Sequence, residues 1–174
     1  LAAFSAAPLH AVTSHEDGTL VLWRLPDEGC PPTLTAPLAS LPAHGDAGMA
    51  LALLPDGSAG VAGGADDLLA AFAVSPDGAG LVRRGTVRLP GQGVGAVAVR
   101  GGGASPLAAS TGWDGHTCLV RLGHCGPSAS PPSPLAELAY HAAPGASAAF
   151  SPDGAWLATG GRDGAIALWG VGEL

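Results

Sequence analysis

Short runs of apolar residues, some alternating with polar ones and each bounded by Gly, Pro or Asp, recur from one end of the chain to the other. Residues 12–14, 20–25, 94–99, 119–122, 156–159 and 166–169 are β-prone runs of this kind. Further runs at 34–41, 84–89 and 135–140 each follow a turn after such a run. No stretch holds helical spacing over helical length, because the Ala-rich segments are cut repeatedly by Gly or Pro. The pattern predicts an all-β fold of short antiparallel strands.

The runs are periodic. Asp17, Asp66, Asp114 and Asp163 stand at intervals of 49, 48 and 49 residues, each in a turn between two strand-like runs. Six residues after each comes Trp23, Phe72, Val120 or Trp169, and four before comes Thr13, Ala62, Ser110 or Thr159. His44 and His141 each precede their Asp by 22 residues. Asp56 and Asp153, in Pro-Asp-Gly turns, each lie ten residues ahead of it, and Phe4 and Phe150 thirteen. So many shared offsets make a fourfold repeat, with units over 1–41, 42–89, 90–140 and 141–174. Four strands in about 48 residues is the layout of one propeller blade. Gly/Pro-rich pieces at 26–33 and 126–134 fall between third and fourth strands and read as lengthened hairpin loops, as does 101–106 in the first hairpin of the third unit.

Composition narrows the options. Gly and Pro supply about a quarter of the 174 residues, which by itself suggests low complexity. Hydrophobic residues nevertheless reach 47% and charged ones only 12%, the reverse of a disordered chain. Much of the apolar content is Ala and aromatics are 5%, so the core must be assembled from small side chains. The formal charge of −7 and scattered Arg residues offer no basic stripe for phosphates, so neither nucleic acid nor an anionic membrane is an expected partner. The apolar stretch 49–54 is far short of the roughly 20 residues a spanning helix needs, and the apolar 1–7 lacks the basic start of a secretory leader. Three cysteines, Cys30, Cys118 and Cys125, make no disulfide framework and suit a reducing compartment. A chain opening on Leu1 reads as a piece of a longer protein.

The repeat resembles the WD40 unit, over essentially the whole chain. That resemblance implies a WD40 β-propeller, here about four consecutive blades of an incomplete seven-bladed ring. In that family a His, a strand Ser or Thr, the turn Asp and the strand Trp form a buried hydrogen-bonded set. Carried over, the complete set is His141, Thr159, Asp163 and Trp169; the first unit retains Thr13, Asp17 and Trp23. The second keeps His44 and Asp66 but has Ala62 and Phe72, and the third keeps Ser110 and Asp114 but has Gln92 and Val120. The Gly112-Trp113-Asp114 turn, the run Leu138-Ala-Tyr-His141 and the ending Ile166-Ala-Leu-Trp169 resemble the C-terminal part of the ASTRA-associated protein 1 family, also called guanine nucleotide-binding protein subunit beta-like protein 1. Residues Glu16-Asp-Gly-Thr-Leu-Val-Leu-Trp23 support the same reading. The resemblance implies an intracellular scaffold, nuclear or cytoplasmic, tied to chromatin remodelling and to maturation of phosphatidylinositol-3-kinase-related kinases. Alternatives are a G-protein-β-like adaptor, a ubiquitin-ligase substrate receptor, or a propeller enzyme. With three blades absent, the arc is expected to have two exposed edges and poor stability in isolation.

Enzyme chemistry finds little support. No Gly-x-Ser-x-Gly elbow is present, and the Gly-rich stretches 91–95 and 100–103 lack the Gly-Lys-Ser/Thr ending of a phosphate loop. His116, Cys118, His124 and Cys125 have metal-ligand chemistry but match no common zinc spacing, so no metal, cofactor or small-molecule substrate is expected. The expected activity is protein–protein interaction. In a propeller the turns between second and third strands gather on one face, and the residue before each turn Asp points there: Glu16, Ala65, Trp113 or Arg162. Trp and Arg dominate binding hot spots. Trp113, Arg162 and Glu16 are therefore the candidate partner-binding residues, whereas Trp23, Trp156 and Trp169 read as structural.

Overall fold

The computed structural model describes residues 2–4, 10–25, 36–91, 93–102, 106–123, 130–172 and 174. The described residues form fifteen strands and no helix. The first sheet holds β1 (Ala2–Phe4), β2 (His10–Ser14), β3 (Thr19–Arg24) and β4 (Pro37–Pro42). The second holds β5 (Gly48–Leu53), β6 (Ala59–Gly64), β7 (Leu68–Val74) and β8 (Leu81–Arg88). In the third are β9 (Val94–Arg100), β10 (Leu107–Gly112), β11 (His116–Arg121) and β12 (Ser133–Ala139). The fourth has β13 (Gly145–Phe150), β14 (Trp156–Gly161) and β15 (Ile166–Gly170), three strands among the described residues. Every sheet is an antiparallel meander in chain order, and β5, β9 and β13 are the strands at which successive sheets meet.

Alternation along each strand gives every sheet two apolar faces. On one face, called forward here, lie the residues five before and three and five after the turn Asp: Val12, Leu20 and Leu22 in the first sheet. On the other, rear face lie those four or six before and four and six after. Each core cluster joins the forward face of one sheet to the rear face of the next. Val12, Leu20 and Leu22 pack on Ala62, Ala70 and Phe72. Val61, Leu69 and Ala71 pack on Ala108, Cys118 and Val120, and Ala109 and Leu119 on Leu157 and Trp169. Small residues bury little area, so the fully buried Leu and Phe side chains carry most of the drive, about 1.5–3 kcal/mol each.

Two arginines tie sheets together beyond this packing. Arg83 donates to the Pro42 carbonyl across the outer strands of the first two sheets. Arg100 donates to the carbonyls of Gly154 (2.5 Å), Val171 (3.1 Å) and Leu174 (3.1 Å) in the fourth, with its guanidinium over the Phe150 ring.

Two expectations need correcting. The loop expected over 126–134 ends earlier, because Ser133 and Pro134 already belong to β12. Pro134 faces Val120 where the ladder shifts register, and Pro37 faces Trp23 at the matching shift in the first sheet. Outermost strands and bulges are where proline is tolerated in a sheet, so Pro134 sits in a strand as Pro37 does within the run expected over 34–41. Likewise β8 begins three residues before the run expected over 84–89. The loops expected over 26–33 and much of 101–106 lie outside the described residues.

The turn face and its supporting hydrogen bonds

The four turn aspartates sit in equivalent bends between second and third strands, and each closes its own turn. Asp17 accepts from the Thr19 N–H (2.9 Å), Asp66 from Leu68 (3.3 Å), Asp114 from His116 (3.1 Å) and Asp163 from Ala165 (3.0 Å). The next residue takes a left-handed conformation: Gly18, Gly115 and Gly164 at φ of 77°, 84° and 78°, and Asp67 at 62°. A Cβ on Gly18 or Gly115 would also lie 2.4 or 2.3 Å from the carbonyl oxygen of His44 or His141. Glycine is required there twice over. At the equivalent place Asp67 tolerates its φ while its carboxylate accepts from the Gly93 N–H of the third sheet (3.3 Å) and pairs with Arg88 (3.5 Å).

The fourth sheet assembles a full set. Trp169 Nε1–H donates to Thr159 Oγ1 (3.1 Å), Thr159 Oγ1 meets His141 Nε2 (3.0 Å), and His141 Nδ1 lies 3.2 Å from both Asp163 oxygens. Asp163 also accepts from the Ala142 N–H (3.0 Å). One assignment of protons satisfies every member: indole N–H to hydroxyl oxygen, hydroxyl O–H to Nε2, and Nδ1–H to carboxylate. The Ala165 N–H, with Ala142 and His141 behind it, holds the Asp163 carboxyl below its ordinary 3.8.

The other sheets keep parts of this. In the second, His44 Nδ1 meets Asp66 at 2.9 Å and the Gly45 N–H reaches the same carboxylate at 2.8 Å. Burial pushes the Asp66 carboxyl upward, but Gly45, His44 and Leu68 together pull it below 3.8. Because Ala62 replaces the strand hydroxyl, His44 Nε2 is buried with no partner. In the first, Trp23 Nε1–H donates to Thr13 Oγ1 (2.8 Å), and His15 Nε2, from within the turn itself, meets the same oxygen at 2.8 Å. The sequence reading missed His15 because it lies at no repeat offset. In the third sheet Ser110 does not join a set: its Oγ is buried without a partner, since Val120 offers no indole. His116 pairs instead with Glu137 across the strand. Of the residues weighed for zinc, Cys118 is buried and His116 is on β11, while His124 and Cys125 lie outside the described residues. Burial, reinforced by Glu137 and Asp114, pushes the Cys118 thiol up to about 11.

The residues before the turn aspartates project from this framework. Ala65, Trp113 and Arg162 each donate a backbone N–H to the loop ahead of an inner strand, at Ala47 (2.9 Å), Gly93 (3.1 Å) and Pro144 (2.9 Å). Trp113 is 42% exposed. Its ring lies against Gly93, where a Cβ would fall 2.5 Å from the indole. Trp113 and Arg162 line one open concavity of about 390 Å³ together with Met49, Gly95, Pro144 and Ala146. Glu16 is exposed on the same face but is not among the lining residues. Met49 was missed by the sequence reading, although it and Ala146 share an offset of 17 residues before their turn Asp.

The comparisons agree with this geometry. Residues 133–170 match the family model described as WD domain, G-beta repeat. The chain is 28% identical over 160 residues to guanine nucleotide-binding protein subunit beta-like protein 1 of Mus musculus, covering 92% of this chain and 44% of that protein. A chain in the solved structure titled "Crystal Structure of Mitotic Checkpoint Complex" superposes with a TM-score of 0.67 at 19% identity, covering 93% of this chain and 45% of that one. The chain thus spans less than half the length of either. WD40 propellers are generally non-catalytic scaffolds. Four meander sheets packed forward face to rear face give the chain a fold of the WD40 β-propeller type, with a segment, residues 133–170, that matches the WD domain, G-beta repeat model and a sequence similar to that of guanine nucleotide-binding protein subunit beta-like protein 1.

Proposed function

We propose that this protein is a non-catalytic scaffold that gathers protein partners on its turn face. The observation that carries this reading is the half-exposed Trp113 beside Arg162 at the rim of one concavity, held there by backbone bonds to the loops around it. An exposed Trp beside an Arg supplies large contact area at low entropic cost together with a charged anchor. His44 and Asp66, and His141 and Asp163, are committed to one another and to backbone N–H groups rather than set out for hydrolysis. In this reading the partners are other proteins, with no nucleic acid, membrane, cofactor or small-molecule substrate involved.

At finer grain, the similarity to guanine nucleotide-binding protein subunit beta-like protein 1 supports an ASTRA-type component acting in the nucleus or cytoplasm. Its work would be chromatin remodelling and the maturation of phosphatidylinositol-3-kinase-related kinases. Affinity purification followed by mass spectrometry, with the wild type and Trp113→Ala side by side, tests both levels. Recovery of kinase-maturation chaperones that Trp113→Ala loses supports the whole reading. Recovery of ubiquitin-ligase subunits instead would overturn the finer role, and an unchanged partner list in the folded variant would overturn the face.

A further inference from the structure

Five serines of the chain are followed directly by proline: Ser75, Ser105, Ser130, Ser133 and Ser151. A kinase that reads Ser-Pro needs a free hydroxyl on an extended, accessible segment, and the structure separates the five on that ground. Ser75 Oγ donates to Asp77 and accepts from the Gly80 N–H (2.7 Å), and Ser151 Oγ donates to Asp153 and accepts from the Trp156 N–H (2.9 Å). Both hydroxyls are closed into tight turns. A Cβ on Gly123 would fall 2.7 Å from Ser130 Oγ, so that hydroxyl is turned against the Gly123 backbone. Ser105 lies outside the described residues.

Ser133 differs on each count. It is exposed, and its hydroxyl makes no hydrogen bond among the described residues. It opens β12, the outermost strand of the third sheet, so its backbone is already extended and one edge is unpaired within the sheet. Pro134 is exposed as well, and a proline there keeps the residue before it extended. On the other side Pro132 is buried against Gly85 of β8, where a Cβ would lie 2.7 Å from the proline ring. Strand alternation thus anchors the segment through Pro132 and turns Ser133 outward. The exposure belongs to the register position. Val82 stands opposite Ala73 as Ser133 stands opposite Arg121, and it is 46% exposed although the third sheet packs on the second.

The residue across the ladder completes the site. Arg121 is the direct register partner of Ser133, so the two side chains leave the same face. Arg83, Arg88 and Arg100 are engaged with carbonyls or a carboxylate, whereas Arg121 is exposed and makes no ion pair among the described residues. A phosphoserine facing an arginine gains charge-assisted, bidentate hydrogen bonds.

We propose that Ser133 is a phosphoacceptor for a proline-directed protein kinase and that Arg121 holds the phosphate once it is attached. In the transfer Ser133 Oγ attacks the γ-phosphorus of ATP. The Oγ–P bond forms, the bond from that phosphorus to the oxygen bridging it to the β-phosphate breaks, ADP leaves, and the hydroxyl proton passes to the kinase's catalytic carboxylate. The product carries about −1.5 to −2 of added charge at the strand ends away from the turn aspartates. This inference is independent of the turn-face reading.

The test treats the folded protein with ATP and purified cyclin-dependent and mitogen-activated kinases, and maps the phosphate by mass spectrometry. Ser133 is labelled while Ser75, Ser130 and Ser151 are not, and Ser133→Ala loses the label. Heat-unfolded protein takes phosphate at the other serines too, which shows that the fold makes the choice. Phosphorus NMR then reads the pairing: the Ser133 phosphate titrates at lower pH than the same phosphoserine in a short peptide, and Arg121→Gln removes that shift. No label on Ser133 from either kinase, or equal label on Ser75 or Ser151 in the folded protein, would overturn the site. An unchanged titration in Arg121→Gln would overturn the part given to Arg121.

Discussion

Thr159 is the hinge of the complete hydrogen-bonded set, because its hydroxyl joins the Trp169 indole to the His141 ring. It accepts from Trp169 Nε1 at 3.1 Å and meets His141 Nε2 at 3.0 Å, and Thr159 and His141 are both buried. Thr159→Val keeps the shape of the side chain and removes the oxygen, leaving an indole N–H and a ring nitrogen without partners. Each orphaned buried group costs about 1–3 kcal/mol; the indole is only partly buried, so the pair together should cost about 2–4 kcal/mol. For a protein of this size that corresponds to a fall in Tm of roughly 4–16 °C. Thr159→Ser keeps the oxygen and loses one methyl, at about 1 kcal/mol. Urea denaturation followed by tryptophan fluorescence separates the two. If Val and Ser variants unfold at the same midpoint, the hydroxyl is not the linchpin and the one-way proton assignment is wrong.

Further outcomes follow from the same geometry. Ala62→Ser should place a hydroxyl near the unpartnered His44 Nε2 and raise stability by about 0.5–1.5 kcal/mol; a loss in a thermal melt would mean the site is too tightly packed. Gly115→Ala adds a collision with the His141 carbonyl to the strain of φ 84°, whereas Gly164→Ala meets nothing within 4 Å. The first should therefore lower Tm clearly more than the second, and equal losses would refute the contact. Asp17, Asp66 and Asp163 all have carboxyls held below 3.8 in the folded state. Their contribution is complete above that value and disappears as pH falls through the lower folded-state values; melts that do not change on acidification across this window would contradict it. Cys118, with its thiol pushed up to about 11, should resist alkylation at mildly alkaline pH until the protein unfolds, as read site by site in the mass spectrum.

Much of this was legible in the sequence because a turn geometry imposes residue types. The bend between second and third strands needs a carboxylate that accepts from the N–H two residues on and a left-handed residue after it, which is why Asp-Gly recurs at near-constant spacing. The alternation that buries Val12, Leu20 and Leu22 is visible for the same reason. What escaped the sequence depends on contacts between units. His15 replaces an absent partner from a different place in its turn, and Arg100 reaches three carbonyls more than fifty residues away. Neither leaves a periodic trace. Pro134 misled because a proline on an outermost strand looks, in sequence, like one in a loop. The candidate site was half legible: Trp113 and Arg162 follow from their place before the turn Asp, but the concavity they share with Met49 and Pro144 arises only when three sheets come together.

The central claim is that partners are held at the turn face, and photo-crosslinking in cells tests it most directly. A photoreactive residue placed at Trp113 sits on the turn face, and one placed at Pro152, in the hairpin between β13 and β14, sits at the opposite end of the strands. Position 113 should capture partner proteins that position 152 does not. Equal capture at both positions, or capture at 152 alone, would contradict it.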